Sequence, residues 1–342
     1  VRIAVIGTGY GARVALPCYL RLAEFEPLAV WSRRAQRARE VAARAGVVLG
    51  SDCLEEVLDV AGLEAVHLAT PVAMHLTVVR AAAQRGLHVL CEKPLAMDLA
   101  EGLAIREAID AAGVVCTVNL SRRFQQARAR LLEVAAQVLG RPRLAHISLV
   151  HDDHATASSR PVSWVHDAAL GGGRLQAYGV HDLDLALAAL GPIKAVASAL
   201  QVQLPQRERD GRLVAVSAED AYAILLEPQR GGLACVSLAA TARHRRGDLV
   251  ELYGEDGSVR LDEQRRLWWA RAGEKLRCEG PLDADSARAF EQVALGFAAA
   301  IRRGAPAEPS LARGLELQAL MDAVRVAARE RRWVQVAELA QS

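Results

Sequence analysis

Val1-Arg2-Ile3-Ala4-Val5-Ile6 runs directly into Gly7-Thr8-Gly9-Tyr10-Gly11-Ala12 at the head of the chain. The first six residues suit a buried strand, and glycine dominates the next six. A helix-like stretch follows near Pro17–Leu22. Pro17 fits the first turn of a helix, so that helix is expected to start near Leu16. In a strand, turn and helix in this order, glycines let the backbone approach a pyrophosphate, and the loop amides and the next helix face its charge. The third glycine of the usual spacing falls on Ala12, an accepted variant. Gly7, Thr8, Gly9, Tyr10 and Gly11 are therefore candidates for a dinucleotide site.

The pattern continues to about residue 120. Strand-like runs at Val1–Ile6, Leu28–Trp31, Ala65–Ala69, His88–Cys91 and Val114–Asn119 alternate with helix-like stretches near Ala35–Ala45, Leu54–Val60, His75–Gln84 and Leu99–Ala112. Such alternation predicts an α/β domain, a doubly wound parallel sheet covered on both faces. After Asn119 the grammar changes. One helix is read over Arg122–Val138, ending at Gly140, and then strand follows strand: Leu144–His151, Ala195–Gln203, Asp220–Leu226, Leu233–Ala240, Leu249–Tyr253 and Ser258–Leu261. That succession predicts an α+β domain with a large, mostly antiparallel open sheet. Polar Gln206–Gly211 reads as a hairpin loop. Two helices, near Ala284–Arg303 and Leu311–Arg331, close the chain with Pro306 and Pro309 between them. The expected domains are 1–120, for the nucleotide, and 121–342, for substrate and oligomerisation.

Composition narrows the function. Lys+Arg 42 against Asp+Glu 40 leaves +2 over 342 residues, which argues against a nucleic-acid binder. At 52% hydrophobic the chain can fill two cores. No uncharged apolar run reaches the ~18 residues of a membrane span, and the first strand lacks the length and cleavage region of a signal peptide. Six scattered cysteines without C-x-x-C spacing read as reduced, cytoplasmic thiols. Only Lys93, Lys194 and Lys275 are lysine, so 42 − 3 = 39 of the basic residues are arginine. A chain that avoids lysine so strongly gives each remaining lysine special interest.

Two segments speak to ligands. The second strand ends in Trp31-Ser32-Arg33-Arg34, without the carboxylate that usually holds the ribose hydroxyls of NAD. Ser32 can donate to a 2′-phosphate and Arg33 or Arg34 can clamp it, so NADP is expected rather than NAD. His151-Asp152-Asp153-His154 has the side chains of a metal site. Consecutive strand residues alternate faces, however, so these four cannot converge, and no metal is expected.

Further motifs accompany the glycine loop in a fixed order. They are Ala69-Thr70-Pro71 with His75, Glu92-Lys93-Pro94, Asn119 to Phe124, and Gly171-Gly172-Gly173-Arg174-Leu175 with Gly179 and His181. In this order and at these intervals the chain resembles the Gfo/Idh/MocA oxidoreductases, from Val1 to about Leu190, with the later sheet and helices fitting in outline. The resemblance implies a Rossmann domain and hydride transfer between nicotinamide and a sugar, polyol or related small molecule. It also implies a homo-oligomer, dimer or tetramer, built through the second-domain sheet. It places Thr70, Pro71, His75, Glu92 and Lys93 at the cofactor and makes Asn119, Arg122, Trp164, Tyr178 and His181 candidates for the substrate. Lys93, at the carboxyl end of a parallel strand, would hold and polarise the reacting oxygen, and His181 would move the proton.

One position departs from the family pattern. Those enzymes often carry an aspartate four residues before the histidine, and here that position is Ala177. Three readings stay open. His181 acts alone with Lys93; or a substitute acid comes from Asp182, Asp184 or the Asp152–Asp153 pair; or the chain is an NADP(H)-binding sensor or partner subunit with weak or no catalysis.

Overall fold

The computed structural model describes residues 1–340 except 306, so Pro306 lies outside the described residues. The chain divides into two compact units. One comprises Val1–Phe124 and Ser286–Gln318; the other comprises Gln125–Asp285 and the chain from Ala319 onward. The sequence reading gave all of 121–342 to the second domain, whereas here Ser286–Gln318 returns to the first unit. Helical periodicity reports that a face is apolar but carries no information about what covers it.

The first unit is built on β1 (Arg2–Ile6), α1 (Leu16–Arg21), β2 (Glu26–Trp31), α2 (Ala35–Ala45), β3 (Leu49–Ser51), α3 (Leu54–Leu58), β4 (Ala65–Leu68), α4 (His75–Ala83), β5 (His88–Cys91), α5 (Leu99–Ala112) and β6 (Cys116–Val118). All strand pairs are parallel, and the order β3-β2-β1-β4-β5-β6 is that of a Rossmann sheet. Ile3, Ala4, Val5 and Ile6 are fully enclosed, as a central parallel strand covered on both faces requires. Asp98 caps α5 by accepting from the Glu101 amide at 2.8 Å.

In the second unit come α6 (Gln126–Val138), β7 (Pro142–Val150), α7 (Val180–Leu190), β8 (Ile193–Gln201), β9 (Gln206–Arg209), β10 (Arg212–Ala215), β11 (Ala221–Pro228), β12 (Leu233–Ala239), β13 (Gly247–Gly254), β14 (Gly257–Leu261), β15 (Leu267–Arg271) and β16 (Arg277–Glu279). Then α8 (Ser286–Arg303) packs in the first unit, α9 (Leu311–Glu330) follows, and β17 (Val334–Gln335) joins the large sheet. That sheet runs β16-β15-β14-β13-β7-β12-β11-β8-β17 and is antiparallel except for the β7–β12 pair. The polar stretch read as a hairpin loop is instead β9, paired with β10 across a turn in which Asp210 has φ 52° and Gly211 φ 75°.

Within the first unit α8 supplies core. Phe290, Val293 and Phe297, none of them exposed, join Val5, Tyr19, Phe25 and Val30 in one cluster. Tyr19 meets Phe25 at 4.6 Å and Phe290 at 5.7 Å between ring centroids, and each such pair adds about 0.5–1.5 kcal/mol beyond its burial.

Candidate active site

In a parallel sheet every strand ends at the same edge. Gly7 follows β1, Ser32 follows β2, Thr70 follows β4, Lys93 follows β5 and Asn119 follows β6, so one edge of the first unit collects most of the candidates.

The three glycines do different work. Gly7 has φ 120°, and a Cβ there would run into the Ala69 carbonyl. Gly9 has nothing within 4 Å of where a Cβ would stand, which leaves its backbone open to a large anion. At Gly11 a Cβ would lie 2.7 Å from the Val5 side chain, so this glycine, rather than Ala12, provides the close approach between helix and strand. A π turn over Gly11–Ala15 then leads into α1, matching the helix start expected near Leu16. Thr8 Oγ1 donates to Ser32 Oγ at 3.3 Å, tying this loop to the end of β2. Ser32 is buried there, while Arg33 and Arg34 are exposed and make no ion pair among the described residues. Thr70 Oγ1 and Asn119 Oδ1 are buried without a hydrogen-bond partner. An open glycine backbone, two unsatisfied buried polar atoms and free guanidiniums along one edge fit a phosphorylated dinucleotide.

His75 has another place. It is fully enclosed, with Nδ1 at 3.0 Å from the Leu95 carbonyl and Nε2 at 3.3 Å from the Thr70 carbonyl, so it packs between two loops and its one N–H donates to one of these carbonyls. Burial holds its pKa below the ordinary value. Tyr10 is half-buried, and its phenol is pushed well up by burial and then by the Glu92 charge. Glu92 is buried; its Oε1 accepts from Asn119 Nδ2 at 2.5 Å and faces His67 Nε2 at 3.4 Å. Half-buried Lys93 follows immediately. Nothing in the sequence patterns pointed to His67 or Tyr19; a histidine inside the apolar run of β4 was the one available signal.

In the second unit a π turn over Leu175–Gly179 precedes α7, which carries buried His181 near its start. Gly172 seats this segment, since a Cβ there would stand 2.6 Å from the carbonyls of Trp164 and Asp167. Asp182, offered by the sequence as a substitute acid, is spent elsewhere. It is fully enclosed, with Oδ1 at 2.8 Å from Arg128 Nη2 and Oδ2 accepting from Tyr222 at 3.1 Å; Arg128 Nη1 also donates to the His181 carbonyl at 3.1 Å. Asp184 is buried. Arg122 is half-buried in a 3₁₀ turn of the first unit, and Trp164 is half-buried in one of the second. Tyr178 lies under the Arg174 guanidinium at 4.9 Å and meets the His151 ring at 5.8 Å.

His151-Asp152-Asp153-His154 lies beyond the end of β7, in a loop and turn rather than on the strand expected, and its side chains still scatter. His151 Nε2 pairs with Asp248 at 2.6 Å, Asp152 is exposed, Asp153 pairs with Arg174 at 2.9 Å and Arg160 at 3.2 Å, and His154 stacks on His166 at 5.0 Å. Among the described residues no group of three or more His, Cys, Asp or Glu could hold a metal. Burial, then Arg174 and Arg207, push His154 down to about 3; burial and Arg207 also lower His166. The unfolded chain takes up protons at these histidines near 6.5; the folded unit does so at lower pH, His154 only at about 3. Their contribution to stability is thus intact above 6.5 and is lost as the pH falls toward 3. Urea midpoints between pH 7 and 4 should drop more steeply in the wild type than in a His154→Gln/His166→Gln variant. Parallel curves would remove this pair as the cause.

Comparison with known proteins agrees with the architecture. The profile described as "Oxidoreductase family, NAD-binding Rossmann fold" matches residues 1–120, and the GFO/IDH/MocA C-terminal domain matches 112–260. The chain belongs to the Gfo/Idh/MocA oxidoreductase family. Among Gfo/Idh/MocA relatives, an uncharacterised oxidoreductase of Synechocystis is 27% identical over 98% of this chain and 96% of its own. The D-xylose 1-dehydrogenase (NADP(+)) 2 of Haloferax volcanii is 36% identical over 40% of this chain and 42% of its own. A solved levoglucosan dehydrogenase in complex with NADH and L-sorbose superposes with a TM-score of 0.87 at 25% identity, covering 98% of each chain. No helix among the described residues is long and apolar enough to cross a membrane.

Proposed function

We propose that this Gfo/Idh/MocA oxidoreductase is an NADP-preferring dehydrogenase or reductase of a sugar, polyol or related small molecule, working as a cytoplasmic homo-oligomer. The observation that carries the cofactor preference is the end of β2, where buried Ser32 is followed by exposed, unpaired Arg33 and Arg34 with no carboxylate among them. A guanidinium pair there suits a 2′-phosphate dianion and offers nothing specific to a ribose diol. The names of a xylose dehydrogenase and a levoglucosan dehydrogenase among the relatives support a carbinol carbon as the reacting centre. Those relatives include one named for NADP(+) and one holding NADH, so the preference has to be read from this chain's own residues.

Gly7, Gly9 and Thr8 would cradle the pyrophosphate, and Thr70, Pro71 and Glu92 would border the nicotinamide half. Bound there, the cofactor supplies or accepts the hydride. The Lys93 ammonium donates to the substrate oxygen and stabilises negative charge as it develops; His181 takes or returns the hydroxyl proton; Asn119, Arg122, Trp164 and Tyr178 orient the remaining hydroxyls. The second-unit sheet offers an oligomer surface: residues such as Leu144, Leu225, Leu233 and Tyr253 are exposed on it.

Titrating the protein with NADPH and with NADH tests the cofactor reading. One bidentate guanidinium–phosphate contact should favour NADPH by about tenfold to a hundredfold, and Arg33→Ala/Arg34→Ala should erase the difference. Equal affinities, or tighter NADH, would overturn it.

A further inference from the structure

His67 lies on β4 with no exposed surface, boxed in by aromatic rings. Phe290 stacks on it at 5.4 Å and 23°, Tyr19 stands edge-on at 5.7 Å, and Tyr10 at 6.5 Å. Its two nitrogens face different partners. Nδ1 is 2.9 Å from the Tyr19 hydroxyl and Nε2 is 3.4 Å from Glu92 Oε1. Tyr19 is likewise fully buried, and that burial keeps its phenol protonated. One proton arrangement satisfies every atom: Tyr19 donates to Nδ1, and Nε2–H donates to Glu92. The other neutral tautomer would set a lone pair against a carboxylate and leave the Tyr19 hydrogen without an acceptor. The doubly protonated ring would also strand that hydrogen.

The consequence falls on Glu92. Asn119 Nδ2 already donates to Oε1 at 2.5 Å, so the two inward contacts converge on that one oxygen and hold the carboxylate from within. We propose that Tyr19 and His67 are positioning residues: by fixing the Nε2–H tautomer they anchor the Glu92 carboxylate, and through the backbone that Glu92 shares with the next residue they set the placement of the Lys93 ammonium. This rests on the reading of Lys93 as the residue that holds the reacting oxygen. Neither Tyr19 nor His67 touches substrate in this scheme.

The scarcity of lysine makes the test direct, because labelling lysine with ¹³C at Cε yields signals from three side chains, and Lys93→Met assigns one of them. Tyr19→Phe removes a single hydroxyl and leaves the ring in its packing. It should move the Lys93 signal and leave Lys194 and Lys275 in place. Imidazole ¹⁵N spectra should show His67 protonated on Nε2 in the wild type and a mixture of tautomers in Tyr19→Phe. Turnover should follow, with kcat lower by about tenfold and KM for NADPH within about twofold. His67→Gln, whose amide can still donate to Oε1, should recover most of the rate that His67→Leu loses. An Nδ1–H tautomer in the wild type would overturn the relay. An unmoved Lys93 signal in folded Tyr19→Phe would overturn the positioning role. A wild type without turnover on any carbinol substrate would instead count against the proposed reaction, and the two spectra would still decide the inference.

Discussion

Lys93→Met is expected to lower kcat by about a hundredfold to a thousandfold, the usual cost of deleting one preorganised donor to a developing oxyanion. Methionine keeps the length and much of the apolar stem but supplies no N–H. The loss should sit in kcat rather than in NADPH affinity, because the phosphates and ribose are held by the glycine loop and the end of β2. Lys93→Arg should not restore the rate. A guanidinium is planar and always charged, whereas the ammonium is a compact charge whose three donors rotate to follow an oxygen as it rehybridises. Steady-state rates and a separate NADPH titration check both halves of the statement. A Lys93→Met rate within a factor of about three of wild type would remove Lys93 from the reaction.

The second large effect is on stability. Arg128→Met should destabilise the second unit by about 3–5 kcal/mol, because it strips the counter-charge from a carboxylate with no access to water. Asp182 would keep only its bond from Tyr222, and the His181 carbonyl would lose the donor that fixes the first turn of α7. For a chain of this size the fall in Tm should be roughly 10 °C. Arg128→Met/Asp182→Asn should recover much of it, since asparagine can accept from Tyr222 without burying a charge. Calorimetry on the two variants gives the answer. Equal Tm values for wild type and Arg128→Met would mean that the ion pair contributes nothing net.

The parts of the molecule that could be read in advance are those with a local pattern. The apolar run of β1 and its glycines pointed to the Rossmann sheet, and Glu92 and Lys93 were visible through the Glu-Lys-Pro motif of the family resemblance, with Lys93 marked further by the scarcity of lysine. β3 escaped notice because Leu49-Gly50-Ser51 has neither length nor alternation. β9 escaped because Gln206–Arg209 is polar and pairs only with β10, away from the large sheet. Arg128 looked like any other of the 39 arginines until its burial against Asp182 was seen. That pairing also removes Asp182 from the acids offered as substitutes at the Ala177 position. His67 and Tyr19 are 48 positions apart and meet only through the sheet, so no spacing rule could join them.

The return of Ser286–Gln318 to the first unit matters to the chain as it is made. A ribosome finishes β6 long before it reaches Phe290 and Phe297, and the 161 residues from Gln125 to Asp285 take on the order of ten seconds or more to synthesise. Through that interval the side of the parallel sheet that α8 will cover, with Tyr19 and Phe25 in it, has no lid. The half that starts first therefore waits for almost the whole chain, and a nascent chain stalled before residue 286 is the form most in need of a chaperone.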